Sequence, residues 1–329
     1  MPHKIAIIGA GVSGSLLAQC LQGKHEVTVF DKARGCGGRL SCLKKDNYSF
    51  DKGTQDFFIK NKRTFEVIEP AIKAGLLSVW RPSFMMINGA EKKWVKSDKA
   101  RHYCGHGNVN RLVKEWLNDI NTYYSTGIVA LEKNHDNWFL ISKENERFGP
   151  FDAVIMSQPA EQALMLAPHF KSTLENLDYS SCMMLYLGVS QPIPSSVAEV
   201  TMSEGTLTRW IIQNHRKPGM ASLDSLILQS KSLPYETMAL SSNALAKQMI
   251  EESEAMLGCK LAIEFKAQHQ WRYAKCLNAT DEGSLWEPSL GLGVIGDGLG
   301  SSMSDGVESA ILSAMDLSNK IQRQGINRL

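Results

Sequence analysis

Three glycines near the amino terminus have the spacing that lets a polypeptide backbone hold a phosphate group. Gly9, Gly11 and Gly14 spell GxGxxG, and Asp31 follows Gly9 by 22 residues. Without a Cβ atom the backbone can approach a pyrophosphate, whose charge is met by the unpaired N–H groups and the positive dipole of a helix N-terminus. An acidic residue about 20 positions further on accepts hydrogen bonds from a ribose. The spacing therefore predicts dinucleotide binding.

The apolar pattern around this motif predicts the elements that position it. Residues 4–8 and 26–30 are typical of buried strands, and the residues between them have helical spacing. A strand, a glycine turn, a helix and a second strand form a βαβ unit, so we expect a parallel sheet. Val12 and Ser13 at the helix start would add backbone N–H groups to the phosphate site, and Lys32, directly after the acidic residue, is assigned to the same site.

A second glycine-rich segment, Arg34-Gly-Cys-Gly-Gly-Arg39, comes a few positions after the acidic residue. Adjacent glycines again indicate a backbone that lies close to a ligand, and Gly38 is assigned to this contact. The Arg39 guanidinium can pair with a phosphate. A surface loop with a chance arginine is the alternative for this segment.

The glycines near the carboxyl terminus have a different interpretation. Gly291, Gly293 and Gly296 also spell GxGxxG, but they lie inside an apolar run and no second βαβ unit follows. We therefore reject a second nucleotide site there. Asp305 as N-cap with Glu308 at the third following position predicts a helix from about residue 305 to 322, whose N-terminus is free to point at a ligand.

Taken together, these motifs resemble the FAD-containing amine-oxidase superfamily, which shares the p-hydroxybenzoate-hydroxylase fold, and within it the renalase-like branch with its bacterial members. The resemblance runs from about residue 3 to 320 and is weakest between about 190 and 260. The segments that carry it are Asp31-Lys32, Gly37-Gly38-Arg39, Asp51-Lys-Gly-Thr-Gln55, Phe151-Asp-Ala-Val154 leading to Pro159, Trp210 to Asn214, Pro218-Gly219 and Trp271-Arg-Tyr-Ala274.

The resemblance implies FAD as the cofactor and assigns further contacts to it. Gly296 and Asp297 would meet the ribityl chain and the pyrophosphate, and the backbone at Ile128 would meet the adenine. The loop from Gly53 to Gln55 would lie near the isoalloxazine ring. The helix N-terminus at Gly306-Val307 would stabilise the negative charge of reduced flavin through its dipole and N–H groups.

The pattern of elements predicts an α/β fold with two domains. A discontinuous Rossmann-like FAD-binding domain is expected over 1–60, 100–165 and 275–329, and a β-sheet-rich substrate domain over 61–99 and 166–274. The remaining elements that we predict are helices over 60–77, 108–117 and 242–257, strands over 128–131, 138–141, 153–156, 183–189, 207–213, 225–229 and 262–271, and turns at 134–137 and 148–150.

No set of side chains has the spacing of a nucleophilic, acid–base or metal site. The eight histidines are scattered, and glycines beside His102 and His106 argue against a helix that would pair them as metal ligands. We expect no metal and no catalytic side chain, with the flavin carrying the chemistry. The predicted substrate contacts can stack on a ring or bond its carboxamide, and they are Trp210, Asn214, Trp271 and Tyr273.

Enzymes of the renalase-like branch oxidise 2- and 6-dihydro isomers of NAD(P)H to NAD(P)+ by hydride transfer to flavin N5, and O2 takes up the electrons as hydrogen peroxide. The resemblance implies this activity, and a dihydronicotinamide gives up a hydride without a base. A flavin amine or polyamine oxidase is the alternative enzyme. A flavin-binding redox sensor is the alternative without turnover.

Composition favours a protein that acts on small molecules. The chain has 329 residues, 43% hydrophobic and 21% charged, and 36 basic against 34 acidic residues leave a formal net charge of +2. A net charge this close to zero creates no strong electrostatic field that would attract a nucleic acid or an anionic membrane. The seven cysteines lack a CxxC pair, and no signal peptide or membrane span is evident, so we expect reduced thiols and a cytoplasmic location. The sequence does not predict an oligomeric state.

Overall fold

The computed structural model describes residues 2–95, 102–220, 223–304 and 306–326. Its helices are α1 (Val12–Leu21), α2 (Lys62–Lys73), α3 (Asn110–Trp116), α4 (Ala160–Leu166), α5 (Lys171–Leu174), α6 (Tyr235–Leu257) and α7 (Gly306–Gln324). Its strands are β1 (Lys4–Ile8), β2 (Glu26–Phe30), β3 (Cys42–Lys45), β4 (Tyr48–Asp51), β5 (Phe57–Phe58), β6 (Leu77–Trp80), β7 (Phe84–Asn88), β8 (Glu91–Val95), β9 (His102–Gly105), β10 (Asn121–Tyr123), β11 (Ile128–Asn134), β12 (Asn137–Ser142), β13 (Arg147–Phe151), β14 (Ala153–Met156), β15 (Tyr179–Val189), β16 (Val200–Glu204), β17 (Thr208–Gln213), β18 (Ser225–Ser230), β19 (Ile263–Cys276), β20 (Leu285–Glu287) and β21 (Leu292–Val294). Among these residues, no helix combines the length and apolar character needed to cross a bilayer.

The sheet that carries the glycine motif has six strands in the order β10-β2-β1-β14-β21-β20. The first five run parallel, and β20 runs antiparallel to β21. All four residues of β14 are buried, as are the last four of β1. Burial on both faces explains why these strands are continuous apolar runs. The prediction of an α/β fold with a Rossmann-like parallel sheet is confirmed.

Helices cover one face of this sheet, and a small antiparallel sheet covers the other. α1, α2, α3 and α7 share one core on the helical face, where Leu17, Leu112 and Ile311 are completely buried. β11, β12 and β13 form the three-stranded sheet on the opposite face, packed through Leu140. The predicted boundaries place α2 in the substrate domain, but its Ile68 lies in the first core. An amphipathic sequence pattern predicts that one face of a helix is buried, but it does not show which sheet that face packs on.

The second large sheet has seven strands in the order β19-β15-β18-β17-β16-β7-β8. Successive residues of β15 point to opposite faces. Met183 and Leu185 pack beneath α6, whereas Met184 and Tyr186 belong to a core that includes Phe50 of β4. One face of this sheet is therefore turned towards the strands that follow the glycine-rich segments.

A few elements differ from the sequence-based expectations. Residues 148–150, predicted as a turn, lie in β13, where Pro150 is tolerated because β13 is the edge strand of its sheet. β16 was not predicted, and it pairs in parallel with β7, which is distant in the sequence. α6 begins at Tyr235 rather than near residue 242, and its backbone is non-helical at Ser241. β1 and β2 have the predicted bounds.

Candidate functional site

The carboxyl ends of four adjacent parallel strands bring the predicted cofactor residues to one edge of the six-stranded sheet. Gly9 follows β1, Asp31 follows β2, Ser157 follows β14, and Gly296 comes two residues after β21. In open α/β sheets ligands bind in the crevice at this edge. Ser13 Oγ lies 2.9 Å from Ser157 Oγ, so the start of α1 is joined to the end of β14. Ser157 was not predicted, although a polar residue directly after a buried strand is a usable signal.

The turn between β1 and α1 has the shape that a phosphate requires. Gly9 has a φ of +114°, and a Cβ on Gly14 would overlap the Gly9 carbonyl oxygen. A Cβ on Gly11 would meet no atom within 4 Å, which leaves open space above the helix start. Within the described residues no side chain caps α1. The N–H groups of Val12 and Ser13 therefore lie at an uncapped helix N-terminus, which suits a phosphate.

Asp31 lies beside this turn and beside the segment that leads into β11. Its carboxylate accepts hydrogen bonds from the N–H groups of Ala10 and Ala33, both at 2.7 Å. Burial raises the pKa of Asp31 above its ordinary value, and these two bonds oppose the rise. The N–H of Thr126 donates to the Asp31 carbonyl oxygen at 2.9 Å, which brings Ile128 close by. This adjacency fits a ribose at Asp31 and an adenine at Ile128.

The closing helix α7 holds the second predicted motif at the same edge. The Gly296 N–H donates to Ser313 Oγ at 3.0 Å, and Ser309 Oγ donates to the Asp297 carbonyl oxygen at 2.6 Å. A Cβ on Gly306 would lie 3.7 Å from Asp297 Oδ2. The N-terminus of α7 therefore lies against the Asp297 carboxylate.

The two residues predicted to cap α7 are Asp305 and Glu308. Asp305, the predicted N-cap, lies outside the described residues. Glu308 contacts another helix, because its Oε1 accepts the N–H groups of Lys60 at 2.9 Å and Asn61 at 2.7 Å. This carboxylate ties α7 to the start of α2. The side chain of Val307 packs in the core shared by the helices.

Arg39 joins the two ends of the chain. Its guanidinium donates to both carboxylate oxygens of Asp297, at 2.7 and 2.6 Å, and to the Ala274 carbonyl oxygen at 3.4 Å. The sequence predicted a phosphate as the partner of Arg39, and the structure shows Asp297 instead. A partner 258 residues away leaves no local signal. Gly38, the preceding residue, comes close to the first glycine turn, since a Cβ added to Gly38 would lie 3.5 Å from the Gly11 Cα.

The turn from Gly53 to Gln55 lies between Arg39 and the seven-stranded sheet. The Thr54 N–H donates to the Arg39 carbonyl oxygen at 2.9 Å. Gln55 is buried, and its amide donates to the carbonyl oxygens of Asp51 at 2.8 Å and Gly53 at 2.9 Å. The amide of Gln55 therefore braces the turn, and the turn itself lies beside Arg39. Its contact with an isoalloxazine ring stays a prediction.

A buried ion pair supports this turn from behind. Lys217 Nζ bonds to Asp51 Oδ2, both side chains are 0% exposed, and the same ammonium lies 3.5 Å from Gln55 Oε1. The second oxygen of Asp51 accepts the Val109 N–H at 2.9 Å. Lys217 was not singled out by the sequence analysis. Lysines are rarely fully buried, so composition gave no signal.

Trp210 and Trp271 lie on the face of the seven-stranded sheet that is turned towards this turn. Residues paired across adjacent strands form a row, which consists of His269, Met184, Gln229 and Trp210. Trp271 is two residues beyond His269 on the same strand and so points to the same side. With strands about 4.8 Å apart, the two ends of the row are about 14 Å from each other. Both predicted tryptophans therefore lie on one face of the sheet, packed against the core that includes Met184 and Tyr186.

Asn214 is bonded inside the protein, against its prediction as a substrate contact. The side chain is completely buried, and its Nδ2 donates to the Ser49 carbonyl oxygen at 2.7 Å and to Ser225 Oγ at 3.2 Å. Asn214 thus joins β4 to β18. An amide after a strand looks the same in sequence whether it binds a ligand or the protein's own backbone.

Tyr273 and Lys32 both lie towards α4. The pairing of β19 with β15 places three residues around Tyr273 opposite Ser181 alone, so the strand bulges and its alternation is interrupted. The Tyr273 ring then meets Tyr179 edge-on, with ring centroids 5.7 Å apart. The Lys32 ammonium lies 3.1 Å from Gln162 Oε1 at the surface. The bulge separates Tyr273 from the face that carries Trp271, against the prediction that they share a site.

Comparison of sequences identifies the opening domain. A family model described as an NAD(P)-binding Rossmann-like domain matches residues 7–70. The 4,4'-diapophytoene desaturase (4,4'-diaponeurosporene-forming) of Staphylococcus aureus strain Newman is 51% identical over 51 residues, which are 15% of this chain and 10% of the desaturase. This chain matches a tenth of that enzyme, so the likeness concerns one short segment of each protein.

Comparison of structures extends the likeness to the whole chain. A protein assigned as a protoporphyrinogen oxidase from Exiguobacterium sp. 255-15 has a TM-score of 0.77 at 11% identity, over 98% of this chain and 99% of that chain. An oxidoreductase from Methanosarcina mazei has a TM-score of 0.74 at 13% identity, over 96% and 100%. A double mutant of putrescine oxidase has a TM-score of 0.72 at 10% identity, over 98% and 99%. The chain thus has a Rossmann-like NAD(P)-binding domain within an overall fold that it shares with these oxidoreductases.

Proposed function

We propose that this chain is an FAD-dependent oxidoreductase of the renalase-like type, which oxidises the 2- and 6-dihydro isomers of NAD(P)H to NAD(P)+. One observation carries the cofactor assignment: the Gly9–Gly14 turn, Asp31 and the Gly296–Asp297 step meet at one edge of the parallel sheet. The Rossmann-like match over residues 7–70 and the fold shared with oxidases support it.

The residues present fit FAD. The uncapped start of α1 and the open space above Gly11 suit a pyrophosphate, and Asp31 suits a ribose. The N-terminus of α7 at Gly306 would stabilise negative charge on the reduced ring. When bound, FAD supplies the chemistry, as hydride acceptor and as donor of electrons to O2 with hydrogen peroxide as product.

The protein's own residues would bind and orient the dihydronicotinamide. Trp271 and Trp210 offer ring faces for a planar substrate on one side of the seven-stranded sheet. Burial, and then the nearby Lys52, lower the pKa of His269 to about 4, so this imidazole is neutral at pH 7. Such surroundings suit a donor that loses a hydride without deprotonation. They position the substrate rather than activate it.

An amine or polyamine oxidase is the second candidate, because a putrescine oxidase shares the fold and tryptophans can surround an amine. One contact argues against it. The Lys52 ammonium already lies 5.8 Å from the centre of the Trp271 ring. A second cation there would meet like-charge repulsion, so we favour the dihydronicotinamide substrate.

Anaerobic reduction of the purified holoenzyme tests the proposal. The flavin spectrum is followed after mixing with 2-dihydro-NAD(P), 6-dihydro-NAD(P), ordinary NAD(P)H, putrescine or spermidine. We expect rapid bleaching with the two isomers and none with the amines, followed by hydrogen peroxide when O2 is admitted. Bleaching by amines alone would favour the second candidate. Protein that stays colourless after incubation with FAD would refute both.

A further inference from the structure

Lys52 occupies a fixed position beside the Gly53 turn. Its carbonyl oxygen accepts hydrogen bonds from the Tyr186 hydroxyl at 2.5 Å and from Trp271 Nε1 at 3.1 Å. Tyr186 is completely buried and Trp271 is half-buried, so both donors are held by packing. The backbone of Lys52 is therefore anchored to two strands of the seven-stranded sheet.

The side chain of Lys52 lies over the Trp271 ring without a counter-charge. Its ammonium is 5.8 Å from the ring centre, and it forms no ion pair with any described residue. Burial lowers the pKa of Lys52, Cys42 opposes this shift, and the charge of Arg34 adds a smaller lowering. Arg34 likewise has no carboxylate partner in the described ranges. A half-buried ammonium without a counter-ion is unfavourable, and an anionic ligand would relieve that cost.

This unpaired ammonium adjoins the predicted cofactor site. A Cβ on Gly53 would lie 3.2 Å from Trp271 Cζ2, so the turn and the indole are in contact. The next N–H along the turn, that of Thr54, binds the carbonyl oxygen of Arg39, whose guanidinium binds Asp297. Lys52 therefore stands where the seven-stranded sheet meets the residues that would hold FAD.

We propose that Lys52, above the Trp271 ring, binds the phosphate groups of a dinucleotide substrate. The inference rests on the proposed function and names the part of the substrate that this chain recognises. A point-charge ammonium suits a diphosphate, while the indole face receives an adjacent ring. The same charge disfavours diamines and polyamines.

Binding of redox-inert probes to the FAD-loaded protein tests the inference. NAD+, nicotinamide riboside, which has no phosphate, and inorganic pyrophosphate are titrated calorimetrically against the unsubstituted protein and Lys52→Met. The matched control is Lys62→Met, because Lys62 is 90% exposed on α2. For Lys52→Met we expect the Kd of NAD+ to rise about tenfold and pyrophosphate binding to be lost. The Kd of the riboside, a cation without a phosphate, should not rise, and Lys62→Met should match the unsubstituted protein for all three probes.

The outcomes separate this inference from the proposed function. An unchanged Kd for NAD+ in Lys52→Met would overturn the inference, even if dihydro isomers bleach the flavin. An equal loss of NAD+ and riboside binding would also overturn it, because the effect would not depend on phosphate. Loss of FAD from Lys52→Met would assign Lys52 to the cofactor instead. Phosphate-dependent binding without bleaching by any dihydro isomer would leave the phosphate site standing and refute the proposed function.

Discussion

Arg39 and Asp297 form a bidentate ion pair, with hydrogen bonds of 2.7 and 2.6 Å, across 258 residues of sequence. Arg39 follows the glycine-rich segment near the amino terminus, and Asp297 precedes the closing helix. Their pairing fixes one end of the predicted cofactor crevice against the other. Asp297 is 5% exposed, so Arg39 supplies a charged partner to a nearly buried carboxylate.

The first prediction is that Arg39→Met weakens both folding and cofactor binding. The Arg39 side chain is 29% exposed, so we expect a loss of about 2 kcal/mol in the free energy of unfolding, below the values for fully buried pairs. FAD affinity should fall as well, since the Arg39 guanidinium no longer holds the Gly296–Asp297 segment in place. Urea denaturation and flavin retention measure the two effects. Arg39→Lys keeps the charge with fewer hydrogen bonds and should be intermediate. A urea midpoint unchanged in Arg39→Met would contradict the role given to this pair.

Two alanine substitutions in the first glycine turn should differ in their effect on the stability of the apoprotein. In Gly14→Ala the new Cβ would overlap the Gly9 carbonyl oxygen, so we expect a destabilisation of about 1 to 3 kcal/mol. In Gly11→Ala the Cβ meets no protein atom within 4 Å, and its φ of −81° is open to alanine. Thermal unfolding of the apoprotein should change in the first variant alone.

The same pair of variants tests where the cofactor lies. Gly11→Ala places a methyl group in the space that a pyrophosphate would occupy, so FAD affinity should fall at least about tenfold. A titration of apoprotein with FAD measures this change. If Gly11→Ala bound FAD as tightly as the unsubstituted protein, the crevice above α1 would not be the cofactor site.

Local patterns predicted the elements of the dinucleotide-binding domain well. The bounds of β1 and β2 agree with the apolar runs, and α1 begins directly after Gly11, with Gly14 in its first turn. These elements are set by residues that are neighbours in sequence, so periodicity and turn chemistry are sufficient. Ser157 could have been added on the same grounds, because it directly follows a buried strand.

Contacts between distant segments could not be predicted in this way. The partners of Arg39 and Lys217, and the sheet that α2 packs on, depend on tertiary pairing that leaves no periodic signal. The burial of Asn214 also depends on tertiary pairing, because its side chain bonds to Ser49 and Ser225. The bulge at Tyr273 interrupts the alternation on which side-chain facing is predicted.

The buried pair of Lys217 and Asp51 should show strong energetic coupling. Lys217→Met leaves the Asp51 carboxylate buried without a counter-charge, so we expect a loss of about 3 to 5 kcal/mol in the free energy of unfolding. In the double variant Lys217→Met with Asp51→Asn no charge is left, and the Asn carbonyl can still accept the Val109 N–H. The double variant should therefore recover much of the loss. Urea denaturation of the four proteins of this cycle measures the coupling, and a double variant no more stable than Lys217→Met would refute it.

The stability of the protein should depend on pH through His269. Burial, and then Lys52, lower its pKa from 6.5 to about 4 in the folded state. Between these values the unfolded chain binds a proton that the folded chain excludes, so stability falls as the pH falls through this window. The full shift corresponds to about 3 kcal/mol, and partial exposure of His269 reduces the expected loss to roughly 1 to 2 kcal/mol.

His269→Gln isolates this contribution, because glutamine does not titrate. The free energy of unfolding in urea is compared at pH 7.5 and pH 4.5 for both proteins, and the difference between the two pH values should be smaller in His269→Gln. His135→Asn is the matched control, since His135 is exposed in a hairpin turn with a positive φ that asparagine tolerates. Its pH dependence should equal that of the unsubstituted protein. An equal pH dependence in His269→Gln would show that His269 is protonated as easily in the folded as in the unfolded chain.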